Sequence, residues 1–116
     1  MSLSVLQIAY YPSLLQTRRV ILEGEGYSVV SALGNDQGMA IATSETFDVI
    51  VVGFSAAHAT RTSMVRWLKQ HAPSIPVVAL LAHDLEEFPD ADCTTLSEDP
   101  IVWLAMIRQA CARNSN

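Results

Sequence analysis

Two cysteines, three histidines and twelve carboxylates are the groups in this 116-residue sequence on which metal binding or catalysis would draw. Cys93 and Cys111 form no Cys-x-x-Cys pair. His58, His71 and His83 fall at no spacing that gathers ligands around a zinc ion, so no metal site is expected. No Ser-His-Asp or Cys-His arrangement can be assigned, and Cys111 reads as a buried or helix-face thiol. The phosphate-cradling patterns GxxxxGK[ST] and GxGxxG are absent, and no Ser/Thr and Gly run follows the first apolar segment. Neither an enzyme nor a bound cofactor is expected. His58 and His71 read as loop or helix-end residues, and Arg18, Arg19, Arg61, Arg66 and Lys69 as solvated helix faces.

Composition narrows the class further. Half the residues are hydrophobic and 16% are charged, too apolar a balance for a disordered chain. The formal charge of −5 argues against a basic face for nucleic acid. The N-terminus lacks the basic and long apolar regions of a signal peptide, and no apolar run approaches the ~18 residues that span a bilayer. A soluble, cytoplasmic, single domain over residues 1–116 is expected.

Short apolar runs alternate with segments of helical period. Strands are expected at residues 5–9, 27–32, 47–53 and 76–82, with a weak fifth at 93–96. The runs at 47–53 and 76–82 are apolar throughout, as in parallel strands buried on both faces. Pro12 opens a first helix carrying Leu14, Thr17, Ile21 and Leu22, which stops near Gly24 and Gly26. Gly34, Asn35 and Asp36 supply turn and capping chemistry before a short second helix with Met39, Ile41 and Ala42. A third helix runs over 60–71. The last, opened by Ser97, Asp99 and Pro100, carries Ile101, Leu104, Ala105 and Ile107, and residues 113–116 look frayed. This alternation is that of a three-layer α/β/α sandwich on a five-stranded parallel sheet.

The chain resembles the CheY-like receiver domains of two-component response regulators, a flavodoxin-like fold, over nearly its whole length. The likeness rests on Pro-Ser-Leu-Leu at 12–15, Leu22-Glu23 through Gly26-Tyr27-Ser28-Val29-Val30, and Phe47-Asp48-Val49-Ile50-Val51-Val52. Ser74-Ile75-Pro76-Val77-Val78-Ala79-Leu80 and Asp99-Pro100 complete it. The resemblance implies a phosphotransfer site at the carboxyl ends of the strands. Its parts are an acidic pair holding Mg²⁺, an aspartate that takes the phosphoryl group, a Ser or Thr, and a Lys. These positions fall here on Ala9 and Tyr10, on Gly53, on Leu81, and on Leu96 or Ser97. None has the required chemistry. Asp48 opens the third strand, some ~16 Å from its other end, and Lys69, the only lysine, lies on the third helix. The family's helix between the fourth and fifth strands is reduced to one turn or an acidic loop at 83–90, which contains Pro89.

The resemblance thus implies a degenerate receiver, not phosphorylatable at the family site, acting as a protein-interaction module. Its partners would be a histidine kinase, an output domain or a second copy of the chain. Tyr10, Tyr11 and Trp103 are the candidate interaction surface, Trp67 is expected in the core, and the loop from Gly53 to Ala57 is expected to carry no function. The alternative is a sensor for a neutral small molecule in the vacated, apolar pocket of Ala9, Tyr10, Gly53, Phe54 and Leu81.

Overall fold

Runs of Val, Ile and Leu form the inner strands of the sheet, seen in a computed structural model that describes residues 2–115, with side chains through residue 112. The strands are β1 (Ser4–Ala9), β2 (Ser28–Leu33), β3 (Val49–Val52), β4 (Val77–Leu81) and β5 (Cys93–Leu96). The helices are α1 (Pro12–Gly24), α2 (Gly34–Ser44), α3 (His58–His71) and α4 (Pro100–Ser115). Against the fraying expected from residue 113, α4 continues to Ser115, and residue 116 lies outside the described residues. All pairings are parallel, in the order β2-β1-β3-β4-β5. This is the flavodoxin-like doubly wound order, whose switch point lies between β1 and β3. Among the described residues no helix is long and apolar enough to cross a membrane.

Side chains alternate between the two faces of the sheet. Leu6, Ile8, Ile50, Val52, Val77, Ala79 and Leu81 meet Met64, Val65 and Leu68 of α3 and Met39 and Ile41 of α2. Val5, Val49, Val51, Val78, Leu80 and Cys93 meet Leu22 of α1 and Trp103, Leu104, Ile107, Ala110 and Cys111 of α4. Gly38 allows α2 to lie close to the sheet, for a Cβ there would stand 2.8 Å from Ile8 Cδ1. Gly34 turns the chain from β2 into α2 at φ +82°, a conformation that costs glycine little.

The stripe of α4 differs from the expected one. Ile101 is 78% exposed and Ala105 is also exposed, whereas Trp103, Leu104, Ile107, Ala110 and Cys111 are buried. Trp103, Leu104, Ile107 and Cys111 follow the spacing of one helix face; Ile101 lies off it. Trp67 packs partly buried against the α3 side of the core and stacks on His71.

Residues 82–92 form no helix. Helix α3 holds this segment through three ion pairs along its length: Arg61 with Glu86, Arg66 with Asp90 at 3.4 Å, and Lys69 with Asp92 at 2.7 Å. Phe88, 4% exposed, covers the sheet in place of a helix, under Arg61 Cζ at 5.2 Å and beside the His58 ring at 4.6 Å. Lys69 also donates to the carbonyls of Pro73 and Ile75, at the amino end of β4.

Candidate functional site

Ala9, Gly53 and Leu81 all lie buried at the carboxyl ends of β1, β3 and β4. Gly53 follows β3 directly and donates its N–H to the Ile8 carbonyl at 2.8 Å, which holds the two central strands together at the switch point. A Cβ on Gly53 would lie 3.5 Å from Ala9 Cα, so these two positions adjoin. Leu96, 40% exposed, pairs in register with Leu81 on the outer strand, and Ser97 follows it half-buried. The positions assigned by the resemblance therefore share one end of the sheet.

The space beside Gly53 is neither vacant nor apolar. Arg18 of α1, only 5% exposed, carries its guanidinium to where the side chain of residue 53 would stand: Nη1 lies 2.9 Å from an ideal Cβ there. The guanidinium rests on the ring of Phe54, with Cζ 5.3 Å from its centroid. Nη1 has no hydrogen-bond partner, and among the described residues no carboxylate pairs with Arg18. Burial lowers its pKa to about 10. Reading Arg18 as a solvated residue is thus corrected. It sits four residues from both Leu14 and Leu22, and that spacing places it on the buried stripe of α1.

Tyr10, which follows β1, packs partly buried against the α3 side of the core. Its hydroxyl donates to Asn35 Oδ1 at 2.7 Å, and Asn35 Nδ2 donates to the Thr60 carbonyl at 3.0 Å. Asn35 therefore ties α2 to α3 and β1 instead of capping α2. No side chain caps α2; Gln37 Oε1 instead accepts from the N–H of Leu33, the residue before the helix, at 2.7 Å. Burial pushes the Tyr10 hydroxyl up to about 12, partly opposed by the charge of Arg61, so Tyr10 stays a neutral phenol. Tyr11 is 57% exposed.

Arg61 is the second arginine the sequence reading misplaced. It precedes Met64, Val65 and Leu68 at helical spacing and is 3% exposed. Its Nε donates to the Ala56 carbonyl at 2.9 Å, and its two terminal nitrogens grip both oxygens of Glu86. Glu86 also accepts from the Ala82 N–H at 2.7 Å and from His58 Nδ1 at 3.2 Å. Desolvation raises the pKa of this carboxyl, whose side chain is 7% exposed, but the bonds from Arg61, Ala82 and His58 outweigh it and hold the group at about 2. The resulting stability is fully present above the ordinary value of 4.5 and is lost as pH falls through about 2. At about 1.4 kcal/mol per unit it amounts to on the order of 3 kcal/mol. Urea unfolding of the wild type and of Glu86→Gln across this window is expected to show the gap between them closing as pH falls; a constant gap would refute the assignment.

These donors do not suit Mg²⁺, which takes carboxylate oxygens. A methyl group, a neutral phenol bound to Asn35, a glycine and a buried guanidinium line the place where the metal would sit. Glu86 is already held by Arg61. Trp103, offered above as an interaction surface, is 2% exposed and belongs to the core, so it leaves that surface. The exposed apolar side chains nearby are Leu96, Ile101 and Val102.

No protein-family model matches the sequence, and no curated protein matches it. Solved structures do match. A CheY-like response regulator receiver domain from Methanospirillum hungatei is 17% identical, with 99% of this chain and 98% of that one covered and a TM-score of 0.87. The chemotaxis response regulator CheY4 of Vibrio cholerae is 19% identical over 95% of this chain and 99% of its own, with a TM-score of 0.82. The Thermotoga maritima regulator TrrA, solved in complex with the histidine kinase ThkA, is 14% identical over 95% and 98%, also with a TM-score of 0.82. At these identities the likeness establishes the fold, that of a CheY-like receiver domain.

Proposed function

We propose that this chain is a receiver-fold domain that is not phosphorylated at the family site, is not an enzyme, and serves two-component signalling as a cytoplasmic protein-interaction module. The observation that carries the reading is Gly53, with the Arg18 guanidinium in the space a phosphoacceptor side chain would take. A glycine offers no carboxylate to phosphorylate, and a buried cation repels the Mg²⁺ that the reaction needs. The Arg18 cation at this end of the sheet also argues against the neutral-ligand sensor.

Two features support a docking role. Ile101 and Val102 stand 78% and 48% exposed on the first turn of α4, close in sequence to exposed Leu96 on β5, and exposed apolar groups of this kind mark interaction surfaces. The structurally similar TrrA forms a complex with a histidine kinase, which makes a kinase, an output domain or a second copy of the chain the partner classes to test. The net charge of −5 argues against direct contact with nucleic acid.

Addition of beryllofluoride and Mg²⁺, read by amide chemical shifts, tests the central claim. The expected result is no saturable, Mg²⁺-dependent shift at Ala9, Tyr10 or Gly53. Such shifts would overturn the reading, because they would show a phosphoryl mimic and its metal held at this end of the sheet.

A further inference from the structure

Next to Arg18 and Phe54, α1, the segment after β3 and the start of α4 border an open cleft of about 220 Å³. Ile21, Phe54 and Trp103 give it apolar walls, Thr17 and Ser97 bring hydroxyls, and Arg18 is its one cation. That cation is the anomaly. A guanidinium has five N–H donors in a rigid fork matched to a carboxylate. Here it is only 5% exposed, stacked on Phe54, and without a hydrogen bond or ion pair among the described residues. Buried charges are strongly unfavourable unless paired, so an arginine kept in this state lacks its anion.

We propose that the cleft binds a small organic carboxylate, with the carboxylate on Arg18 and an apolar stem against Phe54, Ile21 and Trp103. Size and charge choose the ligand. The cleft's volume equals that of about seven water molecules at the ~30 Å³ each takes up in the liquid, room for one small aromatic acid and too little for a peptide segment. A single cation between apolar walls suits a singly charged acid better than inorganic phosphate, which carries more charge and holds its water tightly. Glu98 stands exposed at the rim, unpaired with Arg18, and adds a further repulsion against multiply charged ions. The inference does not rest on the interaction-module reading, since a receiver fold could take such an acid whatever protein it docks.

Benzoate is the probe, titrated into the full chain without Mg²⁺ and followed by the amides of Gly53 and Phe54 and the Trp103 indole N–H. Benzamide, nearly the same shape but neutral, and inorganic phosphate are the controls. Benzoate is expected to give saturable shifts at these groups, with a Kd below about 1 mM and at least about tenfold tighter than either control. Arg18→Met and Arg18→Gln should both abolish those shifts while keeping the dispersed spectrum of a folded chain. Three results would overturn the proposal: no saturation by benzoate, equal binding of benzamide or phosphate, or benzoate binding that survives in a folded Arg18 variant.

Discussion

Truncating Glu86 to alanine is expected to lower the unfolding free energy by about 3–5 kcal/mol, the range found when one partner of a buried ion pair is removed. Arg61 would remain 3% exposed with its carboxylate gone and only the carbonyls of Ala56 and Leu80 to accept from it. The loss would extend beyond the pair. Glu86 also accepts from the Ala82 N–H, and Arg61 lies over Phe88, so the variant releases the segment that covers β4. Since domains of this size hold about 5–15 kcal/mol in all, Glu86→Ala is expected to be only marginally folded at room temperature. The pair of variants Glu86→Gln and Arg61→Met/Glu86→Leu keeps the test readable. The first retains part of the hydrogen bonding and should lose less. The second removes both charges and should come close to wild type, since replacing a whole buried pair by apolar groups is often neutral or stabilising. Urea midpoints at constant m-value measure all three. A loss below about 1 kcal/mol in Glu86→Ala, the worth of a solvent-exposed pair, would refute the burial argued for it.

Arg18→Met is expected to act in the opposite direction, raising stability by about 1–3 kcal/mol, the cost of leaving a buried polar group unsatisfied. The two arginines are almost equally buried, 5% and 3%, and each sits over an aromatic ring. They differ in having a partner. Arg61 has Glu86; Arg18 has no anion, and burial has already lowered its pKa to about 10. Methionine preserves most of the stem and the contact with Phe54 while removing an unpaired charge. A gain in urea midpoint together with loss of benzoate binding would mark Arg18 as a residue that exchanges stability for a ligand. A loss comparable to that of Glu86→Ala would mean the guanidinium is satisfied in solution.

The alternation of strands and helices was legible because the inner strands carry it almost without interruption: Val49–Val52 and Val77–Leu81 are buried at every position. The reduced connection after β4 was legible from its length and from Pro89. What escaped notice were charged residues on buried stripes. Arg18 and Arg61 look like any other helix-surface arginine when judged by type. The spacings Leu14–Arg18–Leu22 and Arg61–Met64–Val65–Leu68 place both inward, and periodicity was the signal that could have found them. Trp103 failed in the reverse sense: its size suggested an anchor for a partner, while its spacing to Ile107 and Cys111 put it in the core. Glu86 left no local mark at all, because its partner lies 25 residues away on α3 and only the tertiary fold brings them together.

The contact between Arg18 and Gly53 also decides what a carboxylate at position 53 would meet. An aspartate arising at position 53 would bring its Cβ to within 2.9 Å of Nη1 and 3.1 Å of the Ile8 carbonyl. Its carboxylate would meet a guanidinium in place of a metal ion, and a carboxylate neutralised in that way is a poor nucleophile. Recovering the chemistry of the resembled family needs Arg18 removed and an acidic pair put at Ala9 and Tyr10, the second of which would break the bond that ties β1 to Asn35. An aspartate at position 53 alone therefore does not build the phosphotransfer site of the resembled family in this chain.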